Sequence, residues 1–135
     1  VGSRFVAEII HSFMHQNHIR YVTGLELGAV PIVSSIVSTG EYPVIGSFIR
    51  KKPKDHGTGN QIEGFIPPPN TETLIVDDVS TTGASILIPY EVLCAKSVKV
   101  KHAFTILDRE EGAVQACFNY GITLHSIFKK SDFGL

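Results

Sequence analysis

The sequence has no apolar run that approaches the roughly 18 residues needed for a membrane-spanning helix. Its first residues include Arg4 and Glu8 and lack the long apolar core of a signal peptide. The formal net charge of −1 gives no reason to expect binding to nucleic acid or to an anionic membrane. These absences lead us to expect a cytoplasmic protein without membrane or nucleic-acid partners.

The sequence also lacks a recognisable metal-binding signature. Cys94 and Cys117 match no metal-binding or redox spacing, so we expect two buried thiols in a reducing compartment. His11, His15 and His18 fall on one side of a predicted helix, opposite its apolar face. Such spacing suits a metal site, but solvent-facing histidines are the simpler interpretation and the one we expect.

What remains is the composition of an ordinary globular protein, with 43% hydrophobic and 19% charged residues in 135. This length fits one domain spanning residues 1–135. Because the chain opens with Val1 rather than methionine, we expect it to be a piece of a longer protein.

Helical and strand-like apolar patterns alternate along the chain. They predict helices at 3–16, 30–40, from about 82, and at 111–119, and strands at 20–25, 42–50, 62–66, 73–79, 98–107 and 122–128. Pro89 predicts a kink or a delayed start in the third helix. The alternation predicts an α/β fold, in which helices flank a largely parallel central sheet.

The stretch TLIVDDVSTTGAS, residues 73–85, places two acids after an apolar strand and a small, hydroxylated turn after the acids. Ligands of open α/β sheets bind beyond the carboxyl ends of the strands. Free amides at a helix start bind phosphate, whereas carboxylates accept hydrogen bonds from sugar hydroxyls. A ribose flanked by a phosphate would bind both the acid pair and the turn that follows it. The alternative is an ordinary helix start with an Asp or Ser cap.

A second unusual stretch is RKKPKDHG, where Arg50, Lys51, Lys52 and Lys54 crowd into five positions ahead of His56. Such density favours a polyanion such as pyrophosphate, although a solvated surface loop is the common alternative. GLELGAVP, residues 24–31, forms another small-residue turn after a strand. In LDREEG, residues 107–112, Arg109 could bind a carboxylate or simply pair with a neighbouring acid in water.

Together these four stretches resemble the type I phosphoribosyltransferases, specifically the orotate phosphoribosyltransferase family. TLIVDDVSTTGAS is similar to the superfamily's phosphoribosyl pyrophosphate signature, and FIRKKPKDHGTG is similar to the catalytic loop of the orotate branch. The resemblance implies transfer of ribose 5-phosphate from 5-phosphoribosyl 1-pyrophosphate to orotate, a step of de novo pyrimidine biosynthesis. It covers nearly the whole chain, but the usual N-terminal region that contacts orotate precedes the part matched here.

The resemblance also implies roles for individual residues. Asp77 and Asp78 would hold the ribose hydroxyls, and Arg109 would hold orotate. The 5-phosphate would lie in the turn formed by Val79, Ser80, Thr81, Thr82, Gly83, Ala84 and Ser85. Arg50, Lys51, Lys54 and His56 would bind pyrophosphate, partly across the interface of a homodimer. Lys54, His56, Asp77 and Asp78 would be the catalytic residues, and Mg²⁺ would be held mainly by pyrophosphate and water.

Two alternatives remain beside this reading. A non-catalytic module could bind phosphoribosyl pyrophosphate as a regulatory signal, and a transferase could use a base other than orotate. In the enzymatic reading, fixed cations stabilise the pyrophosphate as it leaves, while an oriented base attacks the ribose C1. This chemistry needs no activated Ser or Cys nucleophile, and the sequence presents none.

Overall fold

The computed structural model describes residues 2–53 and 60–134. Its strands are β1 Tyr21–Thr23, β2 Ile45–Ile49, β3 Ile62–Gly64, β4 Thr73–Ser80, β5 His102–Asp108 and β6 Thr123–Lys129. Its helices are α1 Gly2–Gln16, α2 Val30–Val37, α3 Ala84–Cys94 and α4 Ala113–Phe118, and a short 3-10 helix, Lys130–Phe133, follows β6.

The six strands form one sheet in the order β3-β2-β1-β4-β5-β6. All neighbouring pairs are parallel except β2 and β3, which run antiparallel at one margin. The predicted α/β fold with a largely parallel sheet is therefore confirmed. Within the described residues, no helix is both long and apolar enough to cross a membrane.

Helices cover both faces of the sheet because its central strands are apolar on both sides. On one face α1 and α2 pack against Val22, Leu74 and Val76. On the other, α3 and α4 contribute Ile86, Leu93 and Cys117 to a second buried cluster. The longest central strand, β4, thus has fully buried residues from Thr73 to Asp77, and this rigid strand carries the acid pair to the sheet edge.

Most predicted elements exist, but several are shorter than their apolar patterns. The predicted strand 98–107 begins only at His102, and the predicted helix 30–40 ends at Val37. The third helix begins at Ala84 and continues through Pro89, so the proline lies inside the helix and does not delay its start.

The expectation that His11, His15 and His18 share a solvent-facing surface was wrong for His11. Its side chain is buried, and its Nε2 lies 2.9 Å from the Tyr42 carbonyl oxygen. His15 stacks on the Tyr42 ring, whereas His18 follows the helix with a left-handed φ of 58°. The segment after α2 folds over α1 and covers His11, a tertiary contact that helical periodicity cannot reveal.

The expectation of two buried thiols holds for Cys117 but is wrong for Cys94, which is exposed. Cys94 is the last residue of α3, and the buried side of that helix is taken by Ile86, Pro89 and Leu93. Burial raises the pKa of the Cys117 thiol to about 11, so this thiol stays protonated and is unreactive at neutral pH.

Candidate functional site

Four loops meet at one edge of the sheet. Because β1, β2, β4 and β5 are parallel neighbours, their carboxyl ends at Thr23, Ile49, Ser80 and Asp108 point the same way. The loops that follow contain the small-residue turn 24–29, the basic stretch, the hydroxylated turn and Arg109. The fold therefore brings together the described parts of all four stretches singled out in the sequence, at the place where α/β sheets bind ligands.

The two acids at the end of β4 have different environments, as neighbouring residues on a strand should. Asp77 is buried, and its carboxylate accepts hydrogen bonds from the Asp78 amide at 2.9 Å and the Ser80 hydroxyl at 3.1 Å. Asp78 is exposed, and its Oδ1 accepts a 2.8 Å bond from the Val79 amide. Asp78 is thus the acid presented to solvent, while Asp77 is buried behind it.

Burial, and next a hydrogen bond with Asp78, raise the pKa of Asp77 to about 6, against lowering hydrogen bonds from Ser85 and Ser80. A carboxyl that titrates this close to neutrality changes its hydrogen-bonding role within the physiological range. When ionised it accepts hydrogen bonds only, and when protonated it can also donate one.

The loop after β1 lies directly against the acid pair. A Cβ on Gly24 would lie 2.5 Å from the Val76 carbonyl oxygen, so only glycine permits this approach to β4. A Cβ on Gly28 would lie 2.8 Å from both carboxylate oxygens of Asp78. The loop therefore packs directly against the Asp78 carboxylate.

The hydroxylated turn leads into α3 without a capping side chain. Gly83 takes the N-cap position with a left-handed φ of 100°, and no side chain caps the helix. The predicted alternative of an Asp or Ser cap was therefore wrong. Thr81 and Thr82 are exposed beside the start of α3, where the amides of Ala84 and Ser85 precede the first helical hydrogen bonds, which run from Ile86 and Leu87 to the Gly83 carbonyl. Donors and hydroxyls together offer an anion site next to Asp78.

The other members of this turn lie where the strand and helix place them. Ser80 is buried with its hydroxyl on Asp77, so its side chain orients the acid and does not face solvent. Val79 is partly exposed, Ala84 is exposed and Ser85 is half-buried. Their assignment to the phosphate remains a prediction.

The basic stretch begins with an arginine that is already paired. Arg50 donates from its Nε to Glu63, and the same atom lies 3.9 Å from Glu26. Burial and the contact with Glu63 raise the pKa of Glu26, against the lowering effect of Arg50. The sequence reading missed both acids, although Glu26 stands within the GLELGAVP stretch. Lys51 is exposed, and the predicted ligands Lys54 and His56 lie outside the described residues.

Arg109 follows β5 at the same edge. Its backbone amide donates a 3.0 Å hydrogen bond to the Ser80 carbonyl, which places it one strand away from the acid pair. Its guanidinium pairs with Glu111 at 3.2 Å, and both side chains are about half exposed. In this structure the arginine therefore adopts the surface ion pair that was the alternative to carboxylate binding.

No group of three or more potential metal-binding side chains occurs among residues 2–53 and 60–134. Carboxylates, uncapped helix amides and cationic side chains surround one edge of the sheet.

Curated relatives of similar sequence share one name. The chain is 33% identical over 138 residues to the orotate phosphoribosyltransferase of Rhodopseudomonas palustris strain TIE-1, covering 98% of this chain and 74% of that protein. It is 36% identical over 126 residues to the orotate phosphoribosyltransferase of Pyrococcus furiosus, covering 92% of this chain and 68% of that protein. No family model matches the chain.

Solved structures agree with these relatives. Orotate phosphoribosyltransferase of Mycobacterium tuberculosis in complex with 5-phospho-alpha-D-ribosyl 1-diphosphate superposes with a TM-score of 0.83 at 27% identity, over 98% of this chain and 76% of that one. Adenine phosphoribosyltransferase of Leishmania tarentolae, at 13% identity and a TM-score of 0.71 over 93% of this chain and 71% of that one, shares the fold alone. With the sheet-edge geometry above, these similarities show that the chain belongs to the orotate phosphoribosyltransferase family, enzymes of the glycosyltransferase type with the type I phosphoribosyltransferase fold.

Proposed function

We propose that this chain transfers ribose 5-phosphate from 5-phosphoribosyl 1-pyrophosphate to orotate, giving orotidine 5′-phosphate and pyrophosphate. The observation that carries the proposal is the exposed Asp78 carboxylate between the Gly28 loop and the uncapped start of α3. A ribose with a phosphate on one side and a pyrophosphate on the other is complementary to this arrangement. The regulatory alternative has less support, because relatives of this chain are named as transferases.

The ribose hydroxyls are assigned to the acid pair. Asp78 offers a solvent-facing carboxylate, and Asp77 lies behind it with both of its oxygens already in hydrogen bonds. The 5-phosphate is assigned to the start of α3, where Thr81 and Thr82 flank free amides. Both contacts orient the sugar so that its C1 faces the base.

The leaving pyrophosphate is assigned to the small-residue loop 24–29 and the basic stretch. Negative charge develops on the pyrophosphate as its bond to ribose C1 breaks, and cations held nearby stabilise it. Lys51 is exposed and can contact the pyrophosphate directly. Arg50 is paired with Glu63, so it must either leave Glu63 to bind the pyrophosphate or influence it while remaining paired. Lys54 and His56 complete the proposed set.

A magnesium ion fits the donors at this edge. Mg²⁺ prefers oxygen ligands and usually retains several waters while bridging carboxylates and substrate phosphates. Asp78 provides one exposed carboxylate beside the proposed pyrophosphate position, with no three-residue metal cluster among the described residues. Asp78 would hold the ion through water, and the bound ion would neutralise charge on the pyrophosphate.

The orotate carboxylate is assigned to Arg109. A planar guanidinium offers two parallel donors to a carboxylate, which a lysine cannot do. Because the Arg109 guanidinium is paired with Glu111 in this structure, the orotate carboxylate has to displace the Glu111 carboxylate. The pair is half exposed, so the exchange costs little, because exposed ion pairs contribute only about 0–1 kcal/mol.

The proposal includes a homodimer. Three apolar side chains near the β2–β3 margin, Ile45, Phe65 and Ile66, are each at least 40% exposed. A second copy would cover them, and the family resemblance implies that the neighbouring basic stretch is shared across such an interface. Light scattering at micromolar concentration should give twice the mass of one chain, and a monomer would contradict this part.

One assay tests the central proposal. Pyrophosphate release is measured with phosphoribosyl pyrophosphate and orotate, uracil or adenine in parallel. Among the three bases, we expect only orotate to cause pyrophosphate release. If only another base does so, that base takes the place of orotate in the proposal. Asp78→Asn and Thr82→Val should each weaken phosphoribosyl pyrophosphate binding in a titration without unfolding the protein. The exposed Glu91→Gln serves as the control, and unchanged affinity in both site variants contradicts the assignment.

A further inference from the structure

The turn that carries Arg109 is held by hydrogen bonds on both sides of the arginine. Before it, the Asp108 carboxylate accepts a 2.8 Å bond from the Glu110 amide. At the arginine itself, the backbone amide donates to the Ser80 carbonyl at 3.0 Å. After it, the Glu110 carboxylate accepts a 2.7 Å bond from the Ser131 amide, 21 residues away in sequence.

Glu110 has an unusual backbone conformation for its residue type. Its φ is 60°, in the left-handed region that favours Gly, Asn and Asp. This conformation directs the carboxylate away from β5 and toward the amide of Ser131 in the 3-10 helix. Hydrogen bonds from Ser131 lower the pKa of Glu110, so it remains ionised at neutral pH.

The bond between Glu110 and Ser131 closes a bridge across the end of the sheet. On one side, Arg109 is bonded through Ser80 to the buried Asp77. On the other, Glu110 joins the same turn to the segment that follows β6. The backbone of Arg109 is thereby fixed relative to the acid pair, while its guanidinium remains half exposed and exchangeable.

We propose that Glu110 is a positioning residue for base recognition, which sets the place of Arg109 through its bond to the Ser131 amide. This inference rests on the proposed function, since it concerns the arginine assigned to the base carboxylate. Without that bond, the hydrogen bonds described above leave the turn attached through Asp108 and Ser80. The arginine would then sample positions away from the base, so orotate would bind less well while the sugar-phosphate site kept its geometry.

Two amide substitutions separate position from charge. Glu110→Asn tolerates the left-handed backbone but is one methylene too short to reach Ser131. Glu110→Gln removes the same charge but retains the length and an oxygen that can accept the bond. We expect Glu110→Asn to raise the KM for orotate about tenfold, which corresponds to about 1.4 kcal/mol. Glu110→Gln should stay within about threefold of the parent.

The readouts are steady-state pyrophosphate release with varied orotate and titration of phosphoribosyl pyrophosphate, with Glu91→Gln as the control. The affinity for phosphoribosyl pyrophosphate should be equal in all variants. Equal orotate KM values for the Asn and Gln variants would overturn the inference, as would an Asn variant that loses affinity for both substrates together. If the parent uses a base other than orotate, the assignment of orotate is wrong, and the KM of each variant relative to the parent is then measured with that base. A parent inactive with every base overturns both proposals.

Discussion

Gly28 and Asp78 lie so close that a Cβ on the glycine would be 2.8 Å from each carboxylate oxygen of the acid. Gly28→Ala should therefore displace the Asp78 carboxylate and break its 2.8 Å bond with the Val79 amide. The backbone of Gly28 has no left-handed φ, so alanine is tolerated by the loop itself. We expect the affinity for phosphoribosyl pyrophosphate to fall about tenfold or more, about 1.4 kcal/mol, by calorimetric titration.

Gly2→Ala is the matched control for this substitution. A Cβ on Gly2 would meet nothing within 4 Å, and alanine favours a helix. The control should bind like the parent and be slightly more stable to urea. A Gly28→Ala variant that binds as tightly as the parent would show that Asp78 is not positioned for the ligand by this loop.

Asp77 should make ligand binding dependent on pH. Its pKa is raised to about 6, chiefly by burial. For this acid the folded pKa exceeds the ordinary value near 3.8, so its stabilising effect is complete below about pH 4 and is lost as pH rises through about 6. Hydrogen bonds from ribose hydroxyls favour the ionised form, so the affinity for phosphoribosyl pyrophosphate should fall as pH drops through the same range.

Titrations between pH 5 and pH 8 with the parent and Asp77→Asn check this prediction. The variant should bind more weakly at pH 8, and its affinity should vary only with the ionisation of the ligand's own phosphates. In the parent, Asp77 should make the free energy of unfolding decline between pH 4 and pH 6, and this decline should be absent from the variant. Parallel pH profiles for the two proteins would mean that Asp77 does not titrate in this range.

Arg109→Lys keeps the positive charge but removes the planar pair of donors. We expect phosphoribosyl pyrophosphate to bind normally and the KM for orotate to rise at least about thirtyfold, near the lower end of the 2–5 kcal/mol typical for a desolvated charge pair. The measurement is pyrophosphate release with varied orotate. If Arg109 serves only its surface pair with Glu111, the lysine variant will use orotate as well as the parent does.

The sequence predicted the class of the fold and the placement of the acid pair at the sheet edge because both depend on local patterns. The apolar run of β4 specified a buried strand, and the two acids after it were placed at the sheet edge by strand geometry alone. The different environments of Asp77 and Asp78 also followed from the alternation of side chains along a strand.

Contacts between distant segments could not be predicted in the same way. Burial of His11 depends on a loop 31 residues away, and the bond between Glu110 and Ser131 spans 21 residues. Glu63 reaches Arg50 because β2 and β3 pair antiparallel, whereas Glu26 reaches it because the Glu26 amide donates to the Ile49 carbonyl at the end of β2. None of these pairs leaves a local pattern in one sequence.

A pair of histidines between β5 and β6 should make stability depend on pH. His102 Nδ1 lies 3.0 Å from His125 Nε2, and Phe13 of α1 packs against both rings. Burial, and then the charge of His102, lower the pKa of His125 below its ordinary value of 6.5. The unfolded chain therefore binds a proton more readily at this residue than the folded protein does.

His125 thus provides stability that is complete above about pH 6.5 and is lost as pH falls below that value. This direction is opposite to that of Asp77, so the parent shows the sum of the two effects. His125→Gln removes the titration but keeps a polar group toward His102. Urea unfolding at pH 5, 6, 7 and 8 should show that the stability difference between parent and variant shrinks or reverses toward low pH.

The exposed His18→Asn, in which asparagine suits the left-handed backbone, is the control and should follow the parent at every pH. A constant difference between parent and His125→Gln across this range would mean that the histidine pair does not couple folding to protonation.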